Sequence, residues 1–135
     1  MLSKLDAFLA PDEAALKLRG MRQEIIASNI ANGDTPGYKA RDMDFGQAYQ
    51  SALSAAKPGG LEMARTDPRH LGGNPRQQLE AQLLYRNDLQ PSIDGNTVDM
   101  NTEMANFADN AVHYQASLTF MQQHIAGLRA ALQTQ

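Results

Sequence analysis

The chain of 135 residues is long enough for one domain and too short for two well-packed ones. Its 12 basic and 15 acidic side chains give a formal net charge of −3, which argues against a general nucleic-acid binder and against a polybasic membrane anchor. The sequence has no cysteine, which excludes a disulfide framework, thiolate zinc sites and a cysteine nucleophile.

The first predicted element is an amphipathic helix that begins at Pro11 and ends near residues 32–33, while residues 1–10 are expected to be frayed or helical. Proline fits the first turn of a helix, and the acidic residues after it suit the positive end of the helix dipole. Asp6 interrupts the apolar residues at the start, so no secretory signal is predicted, and no stretch approaches the roughly 20 apolar residues of a membrane span. The apolar side of this helix steps by four and three residues through Ala14, Leu18, Met21, Ile25 and Ser28.

A tight turn and an irregular middle segment follow this helix. The turn has proline at its second position and glycine at its third, which is typical of type II, and consists of Thr35, Pro36, Gly37 and Tyr38. Within residues 39–97 the pattern predicts a short helix over 47–57, strands over 61–66 and 82–87, and a turn at Asp94 and Gly95.

The last predicted element is one long helix within residues 98–135, about 50 Å long at 1.5 Å per residue. Asp99, followed by Asn101, Thr102 and Glu103, supplies capping chemistry at its start. Apolar residues recur at steps of four and three over the whole helix, which is typical of a coiled-coil seam. This apolar stripe consists of Met100, Met104, Phe107, Ala111, Tyr114, Leu118, Met121, Ile125, Leu128 and Leu132.

The predicted fold class is therefore mainly α, with long N- and C-terminal helices packed as a coiled-coil-like pair and an irregular middle segment containing a short β element. The apolar stripe could be only the core of a helical hairpin. Two features favour assembly with other copies instead: the flanks of the last helix are amides and small residues rather than charges, and a stripe of 33 residues exceeds a partner of about 20. We therefore expect the isolated chain to be only partly folded.

No enzyme chemistry is indicated. His113 and Asp109 lie four apart on a helix, but two ligands without a third do not make a zinc site. Residues 94–99 fail as a calcium loop because Val98 occupies a ligand position. No serine lies in a nucleophile elbow, and no glycine-rich loop is followed by the Lys-Ser/Thr pair that cradles phosphate. We expect no catalytic, cofactor or metal site and no small-molecule substrate.

Residues 27–39 read Ala-Ser-Asn-Ile-Ala-Asn-Gly-Asp-Thr-Pro-Gly-Tyr-Lys. This segment resembles the signature of the bacterial flagellar basal-body rod family, Ala-Ser-Asn-x-Ala-Asn-x-x-Thr-Pro-Gly-Tyr after an N-terminal helix. Residues 40–45, 94–99 and the neighbourhood of His70 are similar to the proximal-rod members in particular. The residues of this signature turn are Asn29, Asn32, Thr35, Pro36, Gly37 and Tyr38.

The resemblance implies a structural subunit that leaves the cytoplasm through the flagellar type III apparatus and joins the periplasmic rod. It implies that residues 1–38 and 98–135 lie in the inner wall of a tube and residues 39–97 outside it. The implied partners are other copies of the chain, other proximal-rod proteins, and the basal-body adaptor at the membrane ring and export gate. The predicted contact residues are those of the apolar stripe except Ala111, together with Leu18, Met21 and Ile25. The alternative interpretation is a soluble helical-hairpin adaptor or a secretion chaperone.

Overall fold

The computed structural model describes residues 2–55, 83–86 and 93–133. Five elements follow one another along these residues: helix α1 (Leu2–Ala31), strand β1 (Arg41–Met43), helix α2 (Phe45–Ala55), strand β2 (Leu83–Tyr85) and helix α3 (Met100–Gln133). Helices α1 and α3 pack against each other as the two long arms of a hairpin, and α2 and β1 pack on α1. The predicted mainly α class, with paired terminal helices and a short β element between them, is confirmed.

Helix α1 begins at Leu2 and continues through Pro11, so the start predicted at Pro11 is wrong, and of the two alternatives for the residues before it the helical one is correct from Leu2 onward. A proline inside a helix removes one backbone hydrogen bond, and contacts with α3 offset this loss. His124 of α3 lies 2.6 Å from the carboxylate of Asp12 and 5.4 Å, between ring centroids, from Phe8. Because α1 has 30 residues and α3 has 34, the expected mismatch in length does not exist. Partial folding of the isolated chain remains a prediction, but a difference in length between the two helices no longer supports it.

The end of α1 and the turn after it have the predicted form. The Asn32 side chain donates a hydrogen bond to the carbonyl of Ser28 (2.8 Å), which also accepts the last helical bond from the Asn32 backbone N–H (3.2 Å). The Tyr38 backbone N–H donates to the Thr35 carbonyl at 3.2 Å, and Gly37 has φ of +72°. These are the features of a type II turn with glycine at its third position.

The middle segment is partly as predicted. Helix α2 begins at Phe45, two residues before the predicted start, because Asp44 caps it by accepting a hydrogen bond from the Gln47 backbone N–H. Strand β2 lies within the predicted 82–87 and pairs antiparallel with β1, with Asp42 opposite Leu84. The sequence analysis missed β1 because Arg-Asp-Met lacks the β-branched and aromatic residues typical of strands. The predicted strand 61–66 lies outside the described residues.

The hydrophobic core lies between α1, α2 and the two strands. Leu18, Met43 and Ala48 are buried there, and half-buried apolar residues such as Ile25 and Phe45 pack against them. Helix α3 contributes differently, because its buried residues are Glu103 and Asn110. Among the described residues, no helix is long and apolar enough to cross a membrane.

Candidate functional site

The face of α3 that packs on α1 is polar over its first half. Glu103 and Asn110 are fully buried, and Asn106 between them is half-buried. These three residues, spaced by three and four, form what we call the polar face of α3. The Asn110 side-chain N–H groups donate to the Arg19 carbonyl (2.9 Å) and to the Gln23 amide oxygen, so this face joins the two helices through hydrogen bonds.

Glu103 is held by residues from two other elements. Arg86, directly after β2, donates to one carboxylate oxygen at 2.6 Å, and the Asn29 amide of α1 donates to the other at 3.1 Å. A buried carboxylate needs such partners, because an unpaired charge in the interior costs several kcal/mol. Glu103 therefore links α3 to α1 and to the middle segment at one point.

Asp42 of β1 lies beside Arg86. Together with Arg22 and Glu103, these two residues form what we call the charge cluster. Asp42 accepts hydrogen bonds from Arg86 (2.8 Å) and from two nitrogens of Arg22 (3.2 and 3.3 Å). Burial alone would raise the pKa of Asp42, but the hydrogen bonds from Arg22, the Met43 backbone and Arg86 together outweigh it, so its pKa is lowered. The carboxylate of Asp42 is thus ionised in the folded protein at neutral pH.

Asn29 of the signature turn also organises the chain beyond α1. Its amide N–H donates to the Arg41 carbonyl (2.7 Å), and its amide oxygen accepts from the Arg41 backbone N–H (3.1 Å). The Tyr38 hydroxyl donates to the same oxygen at 3.3 Å. Because Asn29 is fully buried and bonds the backbone of residue 41 in both directions, it fixes the start of the middle segment against α1.

Asn96 fastens the other end of the middle segment to the turn. Its buried amide N–H groups reach three carbonyl oxygens around the end of α1, those of Asn32, Gly33 and Thr35, at 3.1, 2.7 and 3.1 Å. Two backbone bonds reinforce it, from Gly37 to the Asp94 carbonyl and from Thr97 to the Tyr38 carbonyl. The signature turn therefore holds both ends of the middle segment in one place. Pro36 itself is exposed.

Most large side chains of the apolar stripe of α3 are exposed, from 37% of the surface of Phe107 to 79% of that of Leu132. Leu118, Met121 and Leu128 are half-buried, and the rest of the stripe is exposed: Met100, Met104, Phe107, Ala111, Tyr114, Ile125 and Leu132. Met104 keeps 57% of its surface and Leu132 keeps 79%. Exposed large apolar side chains in a row are typical of a surface that contacts another molecule.

The stripe and the polar face differ by one position along α3. Met104 follows Glu103, and Ala111 follows Asn110. One residue corresponds to about 100° around a helix. The half of the stripe nearest the signature turn is therefore rotated away from α1 by roughly a quarter turn. On α1, Leu18 is buried in the core, and Met21 and Ile25 are half-buried.

The charge cluster was missed by the sequence analysis. Arg22, Asp42 and Arg86 lie in unrelated contexts, and no spacing rule joins them. A signal did exist for two other residues: Glu103 and Asn110 are seven apart, one position before the stripe, so they share a helix face next to it. Asn29 and Asn32 were named as signature residues, but their hydrogen-bond partners could not be read from the signature.

A metal or catalytic site does not emerge from the described residues. His113 Nε2 lies 3.6 Å from Asp109 on the exposed side of α3, as a pair without a third ligand. No group of three or more His, Asp or Glu side chains within 2–55, 83–86 and 93–133 could hold a metal ion. The exposed apolar area of α3 can contact another molecule, whereas the buried amides hold the two long helices and the turn together.

Comparison with known proteins agrees with this geometry. The family model described as Flagella basal body rod protein matches residues 13–39, which include most of α1 and the signature turn. The chain is 47% identical over 135 residues to Flagellar basal body rod protein FlgB of Proteus mirabilis strain HI4320, with 98% of each chain covered. Proteins of the same name from Salmonella typhimurium strain LT2 and Escherichia coli strain K12 are 44% and 43% identical, with 98% and 99% of each chain covered.

Proposed function

Because the chain belongs to the family of flagellar basal-body rod proteins and is FlgB-like over nearly its whole length, we propose that it is a structural subunit of the proximal rod. Its place is the flagellar basal body. The contribution of the chain is mechanical and not catalytic: it supplies helices that pack against the helices of neighbouring subunits.

One observation carries the mode of assembly. Helix α3 buries Glu103 and Asn110 against α1 and leaves Met104 and most of the apolar stripe exposed. Burying apolar area contributes about 25 cal/mol per Å², so the stripe stabilises an assembly only when another molecule covers it. A tube built from repeated copies needs such non-closing contacts between different faces of each copy.

The partners follow from this position in the basal body. Other copies of the chain and other proximal-rod proteins cover the stripe, and the basal-body adaptor and export gate contact the copies at the base. Residues 1–38 and 98–135 form the inner wall, and residues 39–97 lie outside it. The charge cluster around Glu103 supports this division, because it fastens the middle segment to the hairpin at one end of the polar face.

Exposed stripe residues give a sharper test than half-buried ones, since an aspartate there disturbs the packing of α3 on α1 less. We expect Met104→Asp and Ile125→Asp to be exported into the periplasm at normal levels and to stop rod growth, seen in electron micrographs of basal bodies. Met104→Leu keeps the apolar character, and Gln123→Asp adds the same charge at an exposed position off the stripe. Complete rods in cells with Met104→Asp and Ile125→Asp would contradict the proposal.

The hairpin adaptor is the second candidate function, favoured by the near-equal lengths of α1 and α3. An adaptor would remain a monomer or dimer and would not enter the basal body. Fractionation of purified basal bodies separates the two functions, because a rod subunit stays with the basal body after detergent extraction and an adaptor does not.

A further inference from the structure

We propose that Asn110 sets the rotation of α3 about its own axis, so that the half of the apolar stripe nearest the signature turn cannot turn inward and pack on α1. Its consequence for assembly rests on the proposed function, whereas the rotation itself is a property of the single chain. Asn110 is thereby a positioning residue for the surface that neighbouring subunits contact.

The competing arrangement is a hairpin of the same two helices in which α3 is rotated about its own axis. A rotation of α3 by one residue, about 100°, would place Met104 where Glu103 lies and Ala111 where Asn110 lies. The half of the stripe nearest the signature turn would then face α1 within the same chain, while Met121 and Leu128 would move to the exposed places of Phe120 and Gly127. Such a hairpin would have an apolar interface in that half, which is the usual arrangement for an amphipathic helix pair. In the half of α3 nearest the signature turn, hydrophobicity alone therefore favours the rotated hairpin, and some other interaction must oppose it there.

The hydrogen bonds of Asn110 supply that opposition. Its N–H groups reach the Arg19 carbonyl and the Gln23 amide oxygen, two groups one turn apart on the facing helix. Any large rotation of α3 removes both bonds at once. A single buried asparagine in a helix pair is known to select one arrangement over others at some cost in stability.

The remaining oxygen of Asn110 indicates that stability is not the reason for this residue. Asn110 is fully buried, and its Oδ1 atom has no hydrogen-bond partner among the described residues. A buried polar atom without a partner destabilises a fold, so a leucine at this position would give a hairpin at least as stable. Glu103 opposes the same rotation, but its removal would also take one of the two carboxylates from Arg86 and disturb the charge cluster, which makes Asn110 the cleaner position to test.

The chain has no cysteine, so single introduced thiols report the rotation directly. Met104→Cys places a thiol on the exposed stripe, and Ala116→Cys places one at a half-buried position that the rotation would move to the exposed place of Gln115. The rate of alkylation by a maleimide is measured for each on the purified full-length chain, with and without Asn110→Leu. We expect Asn110→Leu to slow alkylation of the first thiol and to speed alkylation of the second, each by roughly tenfold. A tenfold change corresponds to ~1.4 kcal/mol between the two rotations of α3.

Stability measurements separate positioning from simple structural support. We expect the urea midpoint of Asn110→Leu to be equal to or higher than that of the parent chain, and Gln123→Leu, at an exposed position, to change neither alkylation rate. Unchanged rates with Asn110→Leu would overturn the proposal. Asn110→Ala is the second variant, with the same direction of change expected. If both variants lost their helical circular dichroism, Asn110 would support the fold itself and the proposal would fail.

Assembly is measured separately in cells. Asn110→Leu should be exported and should stop rod growth, because the half of its stripe nearest the signature turn is covered within the chain. A shift in both alkylation rates with complete rods would support the rotation set by Asn110 and contradict the proposed role of the stripe in the rod. The two proposals therefore fail by different results.

Discussion

The guanidinium of Arg86 lies 2.6 Å from the carboxylate of Glu103, a side chain that is fully buried on a different element 17 positions further along the chain. The same guanidinium lies 2.8 Å from Asp42 of β1. Arg86 therefore connects the two carboxylates of the charge cluster, and its position is fixed by the backbone bond from its N–H to the Ala40 carbonyl.

Removal of Arg86 alone should destabilise the chain more than removal of Arg86 together with Glu103. Arg86→Met leaves Glu103 buried with only the Asn29 amide, and we expect a loss of about 2–3 kcal/mol in the free energy of unfolding, since Arg86 is partly exposed. The double variant Arg86→Met with Glu103→Met should recover at least half of this loss, because no buried charge remains unpaired. Urea titration measures both. A double variant less stable than Arg86→Met would contradict the assigned coupling.

Acid should weaken the fold through Asp42. Its pKa is lowered in the folded protein, so the stabilisation is present above the unfolded value of about 4 and is lost as the pH falls through the lower folded value. We expect the melting temperature to fall as the pH is lowered from 5 to 3. This window extends roughly one pH unit on either side of the pKa of Asp42 in the unfolded chain. Asp42→Asn should flatten this dependence. Some slope should remain, because the hydrogen bond from Thr102 lowers the pKa of Asp99 as well.

Gly37 is required for its backbone conformation and not for space. A Cβ atom at Gly37 would meet nothing within 4 Å, and the same is true at Gly127 of α3, but only Gly37 of this pair has a positive φ, +72°. Gly37→Ala should therefore destabilise the chain by about 1–2 kcal/mol, whereas Gly127→Ala should stabilise its helix by up to about 1 kcal/mol. Thermal unfolding of the two variants at equal concentration is the measurement. Equal effects would refute the type II assignment.

Asn96 is predicted to be sensitive to a change of a single atom group. Asn96→Asp keeps the shape but turns the donor toward three carbonyl oxygens into an acceptor, so we expect a loss of about 2–3 kcal/mol at neutral pH. Asn101→Asp makes the same change at an exposed position of α3 and should be nearly neutral. Proteolysis at the end of α1 would report the loosened turn. A stable Asn96→Asp variant would show that these contacts do not hold the segment.

Several features were determined by local sequence. The 3.5-residue spacing predicted the long C-terminal helix, and Pro36 followed by Gly37 predicted the turn, because each depends on residues that are neighbours in the chain. The cap at Asp99 is of the same kind: its carboxylate accepts from the Asn101 backbone and the Thr102 hydroxyl, two and three positions away. The signature residues pointed to the family for the same reason, since a signature is a local pattern.

Only the tertiary structure decided which face of α3 meets α1. The periodicity placed ten apolar residues on one stripe, but the buried positions are Glu103 and Asn110, one residue before it. Their partners, Asn29 and Arg19, lie 74 and 91 positions away. Likewise, helix α1 begins at Leu2, ahead of Pro11 where local rules place its start, because Asp12 and Phe8 contact His124 across the hairpin. Hydrogen bonds and charges between distant segments act through space, so no spacing along the chain encodes them, and they outweigh the local hydrophobic pattern where they form together.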